Sequence, residues 1–223
     1  DTGAWIATHE VTISSSTGAI AQAIGWVYSD GYLYVGGPSY FGSEDLYAVN
    51  TSTWTAALVT VPVEKPLLLI SGNRLNGNFT NMPNGNIANM GAATLVGSDY
   101  HTTIREYSAS GSTLTWVADH TLIDSENFPT ETLEAGFAID SSNRVIRFGY
   151  TNTSDLKSVY KVYSLSTGEV LATATSTTLN TTINDNSLFT LATWDYEIDR
   201  LLLGVHLGTH YRIINMDNGT TTS

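Results

Sequence analysis

YKVYSLSTGEVLATA, Tyr160 to Ala174, reads as two strands joined by a tight turn. On either side of Ser166-Thr167-Gly168, aromatic and β-branched residues alternate with polar ones, and a strand sends successive side chains to opposite faces. Ser, Thr and Gly between two such runs are turn chemistry, with Gly supplying the left-handed backbone angle. The same layout occurs in HEVTISSSTGAIAQA (His9 to Ala23), LYAVNTSTWTAALV (Leu46 to Val59), TIREYSASGSTLTWVA (Thr103 to Ala118) and YRIINMDNGTTTS (Tyr211 to Ser223). Turn centres fall near Gly18, Thr53, Gly111, Gly168 and Gly219, at spacings of 35, 58, 57 and 51 residues.

A second hairpin pattern precedes most of these copies. It reads WVYSDGYLYVGG (Trp26 to Gly37), FAIDSSNRVIRFG (Phe137 to Gly149) and ATWDYEIDRLLLG (Ala192 to Gly204), with a blurred version from Ala92 to Glu106 around Ser98 and Asp99. The Asp or Asn turn in each fits hairpin chemistry, since Asn, Asp and Gly tolerate the backbone angles it needs. Joined, the two patterns give four short strands in roughly 40 to 60 residues, the footprint of a propeller blade. The sequence therefore predicts an all-β, β-propeller-like array of four-stranded antiparallel blades. The approximate blades are 24–63, 64–122, 136–179 and 187–223, with 5–23 an N-terminal partial blade. A β-sandwich or jelly roll with hairpins at similar spacing is the alternative. The last copy stops where a fourth strand would start, so the chain is read as one domain that completes its ring with its own first strand or belongs to something longer.

The units resemble blades of quinoprotein-type, NHL-type and kelch-type propellers. DLYAVNTSTW and YKVYSLSTGEVLATA carry the resemblance, through the strand, Asp-x-x-Thr-Gly, strand ending of such blades. The Asp of that ending stands here as Asn50, Ser110 or Ser166, and the tryptophan-docking repeat of quinoproteins is absent. The resemblance implies architecture; it does not extend to a cofactor.

Composition narrows the function classes. Charged residues make up only 13% of the 223, and the formal net charge is -12 with 9 Lys and Arg. That balance repels phosphate backbones and anionic membranes and argues against nucleic acid and membrane partners. There is no Cys, which excludes disulfides and thiolate metal sites. No apolar run approaches the roughly 20 residues of a membrane-spanning helix. A neutral, Thr/Ser/Asn-rich surface is what a packed assembly can bury without desolvating many charges. It is similar in composition to phage fibre and decoration proteins.

Candidate sites fall on irregular stretches. Ser71 to Met90, SGNRLNGNFTNMPNGNIANM, shows no alternation and reads as a long loop of the kind that carries function. Its Asn73, Arg74, Asn76, Asn78 and Asn81 offer paired donors and acceptors suited to sugar hydroxyls. Tyr40 and Phe41, in GGPSYFGSED, are aromatics placed to stack on a sugar or anchor a protein. Tyr32 and Tyr34 alternate onto one strand face, opposite Leu33 and Val35, and read as packing. Asp124, Glu126 and Glu131, in an acidic stretch, are calcium candidates by ligand type, though without EF-hand spacing. Sequons stand at Asn50, Asn78, Asn152, Asn180 and Asn218. No GxSxG, HExxH or P-loop occurs. The expectation is a non-enzymatic extracellular, cell-surface or virion module, without cofactor apart from calcium. It mediates assembly with copies of itself or other subunits, or attachment to glycan or protein. A secreted carbohydrate-active or quinone-dependent enzyme on the same fold is the alternative.

Overall fold

The computed structural model describes residues 7–9, 11, 26–36, 46–69, 79–126, 137–150, 158–175, 189–205, 211–214 and 221–222. They form four antiparallel sheets of four strands, and no helix occurs among them. Blade 1 comprises β1 (Trp26–Ser29), β2 (Tyr32–Gly36), β3 (Leu46–Asn50) and β4 (Thr55–Leu58). Blade 2 comprises β5 (Phe79–Asn81), β6 (Ile87–Val96), β7 (Asp99–Ser110) and β8 (Thr113–Asp124). Blade 3 comprises β9 (Phe137–Ile139), β10 (Arg144–Tyr150), β11 (Ser158–Ser164) and β12 (Val170–Thr175). Blade 4 comprises β13 (Phe189–Asp195), β14 (Arg200–Val205), β15 (Tyr211–Ile214) and β16 (Thr221–Thr222). Each is a simple meander in chain order.

The turns obey the local chemistry. Asp30 and Gly31 close the β1–β2 hairpin with φ of 47° and 80°, and Asn143 and Asp199 take left-handed angles in the corresponding turns of blades 3 and 4. The last hairpins of blades 1 and 3 share a second design. Trp54 N–H donates to Asn50 O at 2.7 Å, and Gly168 N–H donates to Ser164 O at 2.8 Å. Each turn also hooks onto its own blade's first hairpin, Thr51 N–H to Gly31 O and Leu165 N–H to Asn143 O.

The first strands pack against one another, β5 touching β1, β9 and β13, and β9 touching β13. Inner strands gathered on each other with sheets extending outward are a propeller-like array, whereas a sandwich would collect its strands into two facing sheets. Apolar side chains fill the spaces between blades. Val27, Tyr34, Leu46 and Ala48 of blade 1 meet Phe79, Ile87, Tyr107 and Leu114 of blade 2. On the far side of blade 2, Met82, Ala88, Met90, Ile104 and Leu122 meet Phe137, Ile139, Val145, Tyr163 and Leu165. Tyr32 and Tyr34 do share a face, and it is the one turned to blade 2.

Three expectations are corrected. Residues 79–81 and 87–90 belong to β5 and β6, so Ser71 to Met90 is not loop throughout. The blurred hairpin at Ser98 and Asp99 is the second turn of blade 2, not its first. Asparagine hides these strands because it does backbone work there. Buried Asn89 accepts from Leu68 N–H and donates to Leu68 O at 3.1 Å, so its amide pairs with the connector as a neighbouring strand would. Gly91 leaves the space this needs, since a Cβ there would sit 3.2 Å from Leu68 Cβ. The last blade also has its fourth strand within the chain, Ile213 and Ile214 pairing with Thr222 and Thr221. Of the expected N-terminal partial blade, residues 7–9 and 11 are described and none is in a strand.

Candidate functional site

Tyr40, Phe41, Asn73, Arg74, Asn76, Asn78 and Glu131 lie outside the described residues, as do the sequons at Asn152, Asn180 and Asn218. The candidates that are described all have partners. Asn81 ends β5, where its Nδ2 donates to Tyr28 O and its own carbonyl accepts from Tyr196 Oη at 2.9 Å. Asn50 caps its turn: Oδ1 accepts from Ser52 and Thr53 N–H at 2.8 and 3.1 Å. Its Nδ2, the atom a glycan would join, donates to Tyr32 Oη at 3.2 Å.

One end of the inner strands is closed by turn residues. Tyr196 donates to Ile139 O at 2.7 Å as well as to Asn81 O, so a phenol from blade 4 bridges the last residues of β5 and β9. Burial pushes its hydroxyl well above the ordinary tyrosine range, so it stays a neutral donor. Ser29 Oγ donates to Gly85 O at 3.0 Å, linking blades 1 and 2 at this end. Asp199 joins blades 3 and 4 there, taking Ser141 Oγ and Trp194 Nε1.

Between blades 2 and 3 the apolar core encloses charge. Lys161 Nζ lies 2.9 and 2.8 Å from the two oxygens of Asp124 and 3.1 Å from Glu126 Oε2. Tyr163 Oη donates to Asp124 Oδ2 at 2.7 Å. Asp124 and Lys161 are each 5% exposed, and Arg147 is 2% exposed with Nη1 donating to Thr102 Oγ1 at 3.2 Å. Burial alone would raise the Asp124 carboxyl. The donors from Lys161, Glu126 N–H and Tyr163 outweigh it and hold the carboxyl below its ordinary value. The cation these two acidic candidates face is thus an ammonium, and no three His, Asp or Glu side chains converge as a metal site among the described residues. Thr80 Oγ1, on β5, is buried without a hydrogen-bond partner among the described residues.

Blade 2 carries two further networks. Glu106 sits between Asn84 Nδ2 at 2.9 Å and His120 Nε2 at 3.0 Å, with Asn86 Nδ2 as a third donor. Burial raises its carboxyl, but these donors win and lower it. Asp119 on β8 takes Arg105 Nε, Lys65 Nζ and Trp116 Nε1 at 2.8 to 3.0 Å. Those donors overcome burial and hold it far below the ordinary carboxylate range. Lys65 Nζ also lies 4.5 Å from the centroid of the Trp116 ring, which fixes the indole on the outer strand.

Sequence reading passes over Lys161, Arg147, Glu106, His120 and Tyr196. A signal existed for two of them. Lys161 alternates onto the face of Tyr163, and Arg147 onto the face of Val145, so each is a charge on a core-facing position, where a partner must be found.

No family model and no curated protein matches the chain. Among solved structures, the crystal structure of puromycin hydrolase aligns with TM-score 0.33 and 10% identity, over 91% of this chain and 31% of that one. A serine-to-alanine mutant of that enzyme complexed with PGG aligns with TM-score 0.33 and 11% identity, over 90% and 30%. The chain spans about a third of the length of these structures. A likeness of that degree does not bear on what the chain does.

Proposed function

We propose that the chain is a non-enzymatic structural and binding module of an extracellular or virion-surface assembly, joining copies of itself or other subunits. The supporting observation is the rim. The outermost strands of three blades expose apolar side chains: Leu58 on β4, Trp116, Val117 and Ile123 on β8, and Val170 and Leu171 on β12. Apolar side chains recurring on outer strands suit protein contacts, and a chain with only 13% charged residues lowers the desolvation cost of burying such a rim.

Native mass of the protein as isolated from its source, by light scattering or sedimentation, tests this. A large assembly that Val117→Lys or Leu171→Lys breaks into smaller species is the expected result. A strictly monomeric protein that also binds nothing on a glycan array would overturn the reading. So would turnover of chromogenic glycosides that disappears when one acidic pair is changed.

A further inference from the structure

We propose that Lys161 and Asp124 condense into an intramolecular isopeptide bond that ties β11 of blade 3 to β8 of blade 2, with Glu126 as proton carrier. The amine nitrogen lies 2.9 and 2.8 Å from the two carboxyl oxygens. Near-equal distances of that size put it about 3 Å from the carbon between them, within near-attack range. Both side chains are almost fully buried, at 6% and 5% exposure.

Burial is what makes the pair reactive. The ion pair and its neutral form, amine plus carboxylic acid, differ by one proton moved along an existing hydrogen bond. A low dielectric narrows the gap relative to water, because the neutral pair carries no charge to desolvate. The ammonium gives one proton to Asp124 Oδ1, and the free amine attacks Cγ. Tyr163 Oη, 2.7 Å from Oδ2, stabilises the oxyanion on the oxygen that is retained. Glu126 Oε2, 3.1 Å from Nζ, takes a second proton from nitrogen and returns it to Oδ1. The N–Cγ bond forms, the Cγ–Oδ1 bond breaks, and one water leaves. No oxidant, reductant or net proton is required. Glu126 is exposed, so water departs at the solvent end of the cluster. The product replaces two buried charges by a neutral amide that still accepts from Tyr163, relieving the desolvation cost of the pair. In a chain without cysteine it supplies a cross-link that reducing conditions cannot open.

Intact-mass spectrometry of the folded full chain tests the proposal. The expected mass is about 18 Da, one water, below that of the sequence, with tandem spectra showing a branched peptide joining positions 124 and 161. Lys161→Arg, which keeps the cation but cannot condense, and Glu126→Gln are both expected at full mass. A wild-type chain of full sequence mass overturns the proposal, as does a missing water located anywhere else. Both outcomes are measured on the wild-type chain alone, so they hold whether or not the variants fold. A Glu126→Gln chain that loses water as fast as wild type overturns the assignment of Glu126.

Discussion

Blade 2 meets its two neighbours by different means. Toward blade 1 the contact is apolar, and the connector of residues 59–69 is laid into it, with Val59, Val61, Leu67 and Leu69 packed against the shared core. Its polar groups are met one by one. Thr60 bridges to Thr113, Tyr107 Oη donates to Lys65 O and Pro66 O at 2.9 and 3.0 Å, and Asn89 holds Leu68. Toward blade 3 the core holds Arg147, Lys161 and Asp124, and the backbone of one blade touches the other. Ile123 N–H donates to Gly168 O at 2.9 Å, and a Cβ on Gly168 would stand 2.0 Å from Thr121 O. The two interfaces differ in tolerance. The first is a sum of small terms and loses stability gradually, whereas the second depends on a few matched groups whose single removal leaves a charge or a clash.

Changes at the charged interface should therefore have the largest effects. Measured against Lys161→Arg, which keeps the cation and cannot condense, Lys161→Met leaves Asp124 buried without its cation and is expected to cost about 3–5 kcal/mol. Adding Asp124→Leu to that variant should restore much of the loss, because an apolar pair removes the stranded charge. Urea denaturation of the single and double variants checks this, and a double variant less stable than the single would break the contrast. Gly168→Ala follows, at roughly 2–4 kcal/mol, since the left-handed angle and the overlap with Thr121 O act together. Trp54 is the control. It holds φ of 57° at the equivalent turn position, and its ring stacks on His9 at 3.8 Å. The angle alone is thus tolerated, and it is the neighbouring backbone that forbids a side chain at 168. Equal costs for Gly168→Ala and an alanine at Gly111, whose Cβ would meet only Tyr32 at 3.6 Å, would remove the distinction.

On the apolar side the steps should be smaller. Tyr107→Phe keeps the ring in the core and loses the hydroxyl's bonds to Lys65 O and Pro66 O and its interaction with Arg105. Because the rest of the connector stays packed, the expected cost is about 1 kcal/mol. A loss as large as that of Lys161→Met would show that the connector is held by one contact and would dissolve the comparison.

The blade pattern was legible because hairpins are local. Strand alternation around Gly168, Gly111 and Asp30-Gly31 sits within a dozen residues and needs no knowledge of neighbours. β5 and the start of β6 were not legible, since their asparagines are strand residues only by virtue of Leu68 and Tyr28, far away in the chain. The charged cluster fails for the same reason. Lys161 stands out as a charge on a buried face, but nothing local says that its partners are Asp124 and Glu126, some 35 residues earlier. The acidic stretch reads as calcium ligands by ligand type alone, and ligand type does not say that Asp124 and Glu126 face Lys161.

The smallest expected effect sharpens the comparison most, because it separates the two interfaces by pH. Asp119 anchors the connector through Lys65 and Arg105, and its folded-state affinity for protons is depressed. A depressed carboxyl contributes stability that is present above the unfolded value of about 3.9 and is lost as pH falls toward and through the folded value. Its side chain is 28% exposed, so solvent screening limits the contribution to roughly 0.5–1 kcal/mol. Asp119→Asn should therefore lower the urea midpoint slightly at pH 7, and the gap from wild type should close as pH is taken below 4. The gap between wild type and Gly168→Ala, which involves no titrating group, should stay constant over the same range. An Asp119→Asn gap that does not narrow in acid would mean that packing rather than charge holds the connector to β8, and the apolar interface would then be apolar throughout.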